Sequence, residues 1–167
     1  MRHKFAWASW AFVGAIAVSV GLSFIHPWGD VRNVAPGETT LNGGFVPDNV
    51  REVLVRKCVD CHSNRTHWPV YGRLAPASWL IERDVRDGRA AMNLSDWEAI
   101  LPEDKVVLLT RMAAVVRSGE MPPSAYLTLH PGNGLTDVER QMISAWARAE
   151  RKRIRNAADQ PKGAETK

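Results

Sequence analysis

Cysteine is scarce in this chain: of 167 residues only Cys58 and Cys61 carry a thiol, so a fold framed by disulfides is excluded. Strand-like alternation of apolar and polar residues is missing, and so are internal repeats, which leaves an all-α body as the reading. The body also lacks an excess of basic charge. The formal charge of +4 comes from 22 Lys and Arg against 18 Asp and Glu, but seven of those bases and three of the acids lie in the last twenty residues. With Arg2 and Lys4 also set aside, residues 5–147 hold thirteen bases and fifteen acids, so the isoelectric point of about 9.4 describes the two ends. A nucleic-acid binder would cluster Lys and Arg on a folded face, and that class is set aside. The length suits one compact core with a short appendage.

Charge of either sign is absent from Phe5 to Ile25, directly after Met1-Arg2-His3-Lys4. As a helix those 21 residues would span roughly 31 Å, close to the hydrocarbon thickness of a bilayer. A cleaved export signal has a shorter apolar stretch and ends in an Ala-x-Ala-like site. Here the run ends Ser23-Phe24-Ile25-His26-Pro27-Trp28, so residues 1–26 read as an uncleaved anchor, with a cleaved signal as the alternative. The basic flank precedes the run, which keeps the amino terminus inside and turns the rest outward, with Trp28 at the interface.

Residues 27–47 contain Pro27, Gly29, Pro36, Gly37, Gly43, Gly44 and Pro47 without periodicity and read as a linker. Helices are expected from Asp48 to about Cys61 and from Ala77 to Asp87, the second stopping before Gly88. Residues 63–76 between them read as loop. Ser95-Asp96-Trp97-Glu98 has capping-box spacing and predicts a short helix. Glu103 to Ser118 carries Val106, Leu109, Met112, Ala113 and Val116 at helical spacing and ends at Gly119. A second capping box, Thr136 to Glu139, opens a helix bearing Val138, Met142, Ala145, Trp146 and Ala149 on one face. After Arg148 the apolar residues thin out, and residues 151–167 read as a basic, disordered tail. Residues 48–150 form the folded domain of this reading.

Cys58-Val59-Asp60-Cys61-His62 is a Cys-x-x-Cys-His run, the attachment pattern of a c-type haem. Two thiols on one turn can add to the two porphyrin vinyl groups, and the next residue presents an imidazole to the iron. The other readings are a thioredoxin-like dithiol, which would sit near a βαβ pattern that is not visible here, and half of a zinc site, which would need His62 with a distant His67 or His130. Haem attachment is the stronger reading, with one haem c held by Cys58 and Cys61 and ligated by His62. It matches export, because covalent attachment takes place outside the bacterial inner membrane.

The sixth ligand has two protein candidates. In Gly119-Glu120-Met121-Pro122-Pro123 the methionine follows a helix end and precedes a proline, which holds it extended in a loop. Met112 and Met142 lie on apolar helix faces and read as core, and Met92 has no supporting context. His130 competes with Met121, and an open site is the third possibility. Met121 is preferred, and the choice matters, because a His/Met pair suits electron transfer whereas an open site binds gases or peroxide. Trp68, Trp79, Trp97 and Trp146 read as packing residues, and Arg73 as a solvated arginine rather than a propionate partner.

The stretch Cys58 to Asn64, with Trp68-Pro69-Val70-Tyr71, resembles the haem-binding domain family of c-type cytochromes. The likeness continues through Leu74 to Trp79, Asp84-Val85, Gly88-Arg89, Asn93-Leu94-Ser95, Gly119 to Pro123, Tyr126, Leu129-His130-Pro131 and Trp146. The resemblance implies a bacterial protein with one amino-terminal membrane segment and one exported domain. The combined expectation is a cytochrome c-like helical domain around one covalent haem, preceded by a single transmembrane helix in the bacterial inner membrane and facing the periplasm. It would carry single electrons to redox partner proteins without being an enzyme. The alternatives are a peroxidase-like enzyme or a gas or redox sensor with an open distal site, and a fixed cytochrome subunit of a larger membrane complex.

Overall fold

The computed structural model describes residues 2–29, 31, 41 and 46–159, with side chains from Trp7 onward. Seven helices lie among these residues: α1 (Arg2–Leu22), α2 (Asp48–Lys57), α3 (Val59–His62), α4 (Ala77–Ala91), α5 (Pro102–Ser118), α6 (Ser124–Leu129) and α7 (Asp137–Ala158). Two 3₁₀ turns, Val70–Arg73 and Leu94–Ala99, flank α4, and no strand occurs among the described residues. The all-α reading is correct.

The core is centred on the pairing of α5 with α7. Leu109, Met112, Ala113 and Val116 meet Ile143, Trp146, Ala147 and Ile154, and α2 adds Val50, Val53 and Leu54. Burying a side chain such as Leu109 or Ile143, both wholly enclosed, contributes roughly 1.5–3 kcal/mol. Leu41 and Val46, ahead of α2, also enter this core, and Arg51 donates to the carbonyls of both at 2.8 and 2.9 Å.

Local chemistry sets the helix ends. Pro102 takes the first position of α5, where a missing N–H costs nothing, and Gly119 ends it in the left-handed region at φ +80°. The capping box of α7 is formed: Thr136 Oγ1 accepts from the Glu139 N–H at 3.2 Å, and the Thr136 N–H donates to Glu139 Oε2 at 2.8 Å. At Leu94–Ala99 the expected box is replaced. Asn93 Oδ1 accepts from the Ser95 N–H at 3.0 Å, while Ser95 Oγ accepts from the Asn64 N–H at 3.0 Å.

Several boundaries differ from expectation. Helix α7 does not fray after Arg148 but runs to Ala158, because Ile154 is buried against the core and Arg151 donates to Thr110 of α5 at 2.7 Å. Residues 151–158 are therefore helix, and 160–167 lie outside the described residues. Helix α4 passes through Gly88 to Ala91, since that glycine is a packing contact rather than a terminator. The expected Asp48–Cys61 helix breaks at Cys58, and α6 was not foreseen.

Helix α1 covers the segment expected to anchor the chain. No helix among the described residues is long and apolar enough to cross a membrane. A transmembrane α1 therefore has no support in the described residues. Its Trp7, Trp10, Phe12 and Ile16 are exposed, whereas its carboxyl end is docked. Ser19 Oγ donates to Ala75 O at 2.6 Å, the Ala75 N–H to Ser23 Oγ at 2.9 Å, and Trp79 Nε1 to Ile25 O at 2.7 Å. His26 Nδ1 meets the buried Glu82 at 2.7 Å.

Candidate cofactor site

Cys58 stands between α2 and α3, and its carbonyl accepts from the N–H groups of Cys61 at 3.2 Å and His62 at 3.0 Å. One tight turn therefore sets Cys58, Cys61 and His62 side by side. Helix α4 presses against this turn so closely that a Cβ on Gly88 would stand 2.5 Å from the Cys61 carbonyl oxygen. Only glycine fits that approach.

Residues far apart in the chain lock the turn from below. Arg89 Nε donates to Ser63 O at 2.7 Å, its Nη2 to Thr66 Oγ1 at 3.1 Å, and Thr66 Oγ1 donates to Asp60 O at 2.7 Å. Asn93 Nδ2 donates to Asn64 Oδ1 at 2.8 Å. Ser63 and Thr66 are buried, so these bonds are shielded from water. Sequence reasoning assigned no role to Arg89 or Asn93 and took Gly88 for a helix stop. Their place in the stretches that carry the family resemblance was the only signal.

Cys58, Cys61 and His62 open into a cavity of about 390 Å³, whose other walls include Gly88, Ala91, Val116, Met121, Pro122 and Leu135. That volume lies in the range of small-molecule sites, and the walls are mainly apolar. Burial pushes the Cys58 thiol up to about 12, aided by the neighbouring Cys61, and burial with Asp60 pushes Cys61 up to about 11. Both are free thiols and stay protonated near neutrality, unlike the low-pKa thiolates of dithiol oxidoreductases. Among the described residues, no three His, Cys, Asp or Glu side chains converge as a metal ion would require.

Burial lowers the His62 pKa, partly offset by the carbonyls of Met92 and Gly88, so the ring is neutral. His62 Nδ1 lies 3.0 Å from Met92 O, an acceptor only, so Nδ1 carries the proton and Nε2 keeps its lone pair. Metal-ligating histidines are oriented in this way.

Met121 alone among the described methionines lines the cavity. Met112 is buried in the core, and Met92 and Met142 pack against it. His130, the rival, is engaged on both ring nitrogens: Nε2 meets Tyr71 Oη at 2.8 Å and Nδ1 meets Tyr126 O at 3.0 Å. Its ring stacks on Tyr126 at 4.1 Å, and it does not line the cavity. Tyr126 does, its hydroxyl accepting from Asn133 Nδ2 at 2.8 Å.

Arg111 supplies a cation at the cavity wall that sequence reasoning missed, one helical turn before Val115 and Val116. The cavity acids Asp84 and Asp87 already pair with Arg83 and Arg86 at 3.0 and 2.7 Å. Arg73 is exposed and lies apart from the cavity, as expected of a solvated arginine. These mostly apolar walls, with Arg111 among them, suit an apolar cofactor that bears anionic groups.

Comparison with protein families matches residues 17–149 to the haem-binding domain family. The chain belongs to the haem-binding domain family. The matched stretch of this haem-binding domain begins inside α1 and takes in the Ser19, Ser23 and His26 contacts with the body. The domain is also similar to cytochrome c peroxidase Ccp of Escherichia coli (strain K12), with 32% identity over 125 residues, 73% of this chain and 25% of that protein. The chain thus spans about a quarter of the length of that relative. No solved structure matches it.

Proposed function

We propose that this haem-binding domain is a single-haem c-type electron carrier, with Cys58 and Cys61 tethering the haem and His62 and Met121 ligating its iron. The observation that carries this reading is one cavity lined by Cys58, Cys61, His62 and Met121, while both nitrogens of His130 are committed elsewhere. Haem bound there would supply reversible one-electron cycling of its iron. The chain's own residues would do the rest. Met92 O orients the His62 ring, Gly88 brings α4 against the attachment turn, Val116 and Leu135 exclude water, and Arg111 offers a counter-charge.

The domain would face the periplasm of a bacterial cell and meet redox partner proteins there. We propose further that α1 joins it to the inner membrane. In support, the apolar residues of α1 surround its axis rather than forming one stripe, and most are exposed. The hydrogen bonds of Ser19 to Ala75 O and of Trp79 to Ile25 O would then hold the domain close to the membrane surface.

A second reading places the domain in an enzyme, because its curated relative is a cytochrome c peroxidase. Since the similarity covers a quarter of that protein, this domain would serve there as an electron relay. Optical spectra of the purified protein, with a pyridine haemochrome assay and added carbon monoxide, test both. A c-type haemochrome lost in Cys61→Ala, a weak red band lost in Met121→Ala, and indifference to carbon monoxide are expected. Rapid carbon monoxide binding by the native protein would overturn the Met121 ligand and favour an enzyme or sensor. Absence of covalent haem would overturn the attachment.

A further inference from the structure

Away from the cofactor cavity, α5 and α7 enclose a second cleft of about 570 Å³, lined by Arg117, Asp137, Arg140, Gln141, Ser144 and Arg148. Three guanidinium groups face one carboxylate. The carboxyl-terminal dipole of α5 accounts for Arg117 in its last turn, but not for the other two. Arg140 is already positioned, since its Nε donates to Leu135 O at 3.3 Å and its Nη1 to Val116 O at 3.5 Å. Asp137 lies 3.9 Å from it and is almost fully exposed, so it offsets little of that charge.

The floor of the cleft provides a second, independent observation. Ser144 is 3% exposed, and its hydroxyl has no hydrogen-bond partner. A buried hydroxyl without a partner has given up its water without replacement, and a ligand oxygen in the cleft would restore the lost hydrogen bond. The groups offered are mostly donors, and their net charge is +2 from three arginines and one aspartate. The matching ligand carries about two negative charges and several acceptor oxygens.

We propose that this cleft binds a phosphate group in its dianionic form, from a small phosphate monoester or from a lipid headgroup. Arg117 and Arg148 hold its outer oxygens, Arg140 supplies a fixed guanidinium, and Ser144 donates from the floor. The site touches the cofactor side indirectly, because Val116, whose carbonyl Arg140 engages, also lines the haem cavity.

Calorimetric titration of the full haem-loaded chain with inorganic phosphate, at ionic strength held constant with chloride, tests this. One saturable site is expected. It should weaken by about tenfold or more in Arg148→Gln and in Arg117→Gln, and several-fold in Ser144→Ala. It should be unchanged in Arg155→Gln, an exposed arginine of α7 outside the cleft. No saturable binding, or an equal loss in Arg155→Gln, overturns the proposal. In a parallel arm, phosphatidic acid vesicles that recruit the native chain more than Arg148→Gln identify a headgroup, whereas equal recruitment with saturable phosphate binding identifies a soluble ester. These readouts do not depend on how the iron is ligated.

Discussion

The two sides of the cofactor cavity are built differently. On the attachment side Val59, Ser63, Thr66, Val85 and Gly88 are all buried, and the turn is clasped by Arg89, Asn93 and the α4 backbone. On the Met121 side no residue from Arg117 to Gly134 is buried, and Met121 is tied through one 3.3 Å bond from its N–H to Val115 O. The first side is a preformed mould that holds two thiols and an imidazole in register. The second has little core of its own and is the side free to adjust around a bound macrocycle.

The largest expected effect comes from breaking the mould. Gly88→Ala sets a methyl group against the Cys61 carbonyl, where backbone rather than a flexible side chain must yield. Overpacking of this kind costs about 1–3 kcal/mol. Thermal unfolding should show that loss, together with a several-fold drop in covalently attached haem. A normal haem yield in Gly88→Ala would mean that the attachment turn does not need α4 at this distance.

Glu139 gives an intermediate effect, because it fastens the attachment side to α7. Burial would push its carboxyl up, but the Thr136 N–H and hydroxyl and the ammonium of Lys57 outweigh it and hold the pKa at about 2. Lys57, which lines the haem cavity next to Cys58, lies 2.9 Å from Glu139 and is itself mostly buried. Glu139→Gln should cost about 2 kcal/mol at neutral pH, through the weakened charged bond and cap. A carboxyl with a depressed pKa stabilises the fold above its unfolded value and loses that contribution as pH falls. The gap between native and variant should therefore be full above about 4.5 and close as pH drops toward about 2. Denaturant unfolding across that window checks it, and a pH-independent gap would contradict it.

The smallest effect should come from His130→Ala on the adjustable side. Its two hydrogen bonds and the stack on Tyr126 contribute about 1 kcal/mol after solvent exposure is allowed for. The optical spectrum of the haem-loaded variant should match the native one. A changed spectrum in His130→Ala with an unchanged one in Met121→Ala would exchange their roles.

What could be read from the residues follows from what each signal measures. Adjacency in the chain made the grouping of Cys58, Cys61 and His62 legible, since three side chains on one turn need no tertiary information. Helical spacing revealed the buried face of α5, and the Thr136 box placed the start of α7 correctly. On α7 the expected face is only half right, because Trp146 is buried and Met142 packs on the core while Val138, Ala145 and Ala149 are exposed and Ile143, Ala147 and Ile154 face inward. Gly88 was misread because a glycine near a helix end and a glycine at a helix crossing look alike until the partner chain segment is known. The end of α7 was misread because Ile154 is a single apolar residue in a charged run, and only its contact with the core separates helix from solvated tail.

By itself, the sequence determined the helical class, the turn that groups Cys58, Cys61 and His62, and the extended loop position of Met121, because periodicity, chain adjacency and proline geometry are local properties. Tertiary structure alone decided that Met121 shares the cavity while His130 is spent on Tyr71 and Tyr126, that Arg89 and Asn93 lock the turn, and that Arg111 stands at its wall. Apart from the local His130–Tyr126 contact, those join residues about 20 to 60 positions apart, and only packing brings such residues together.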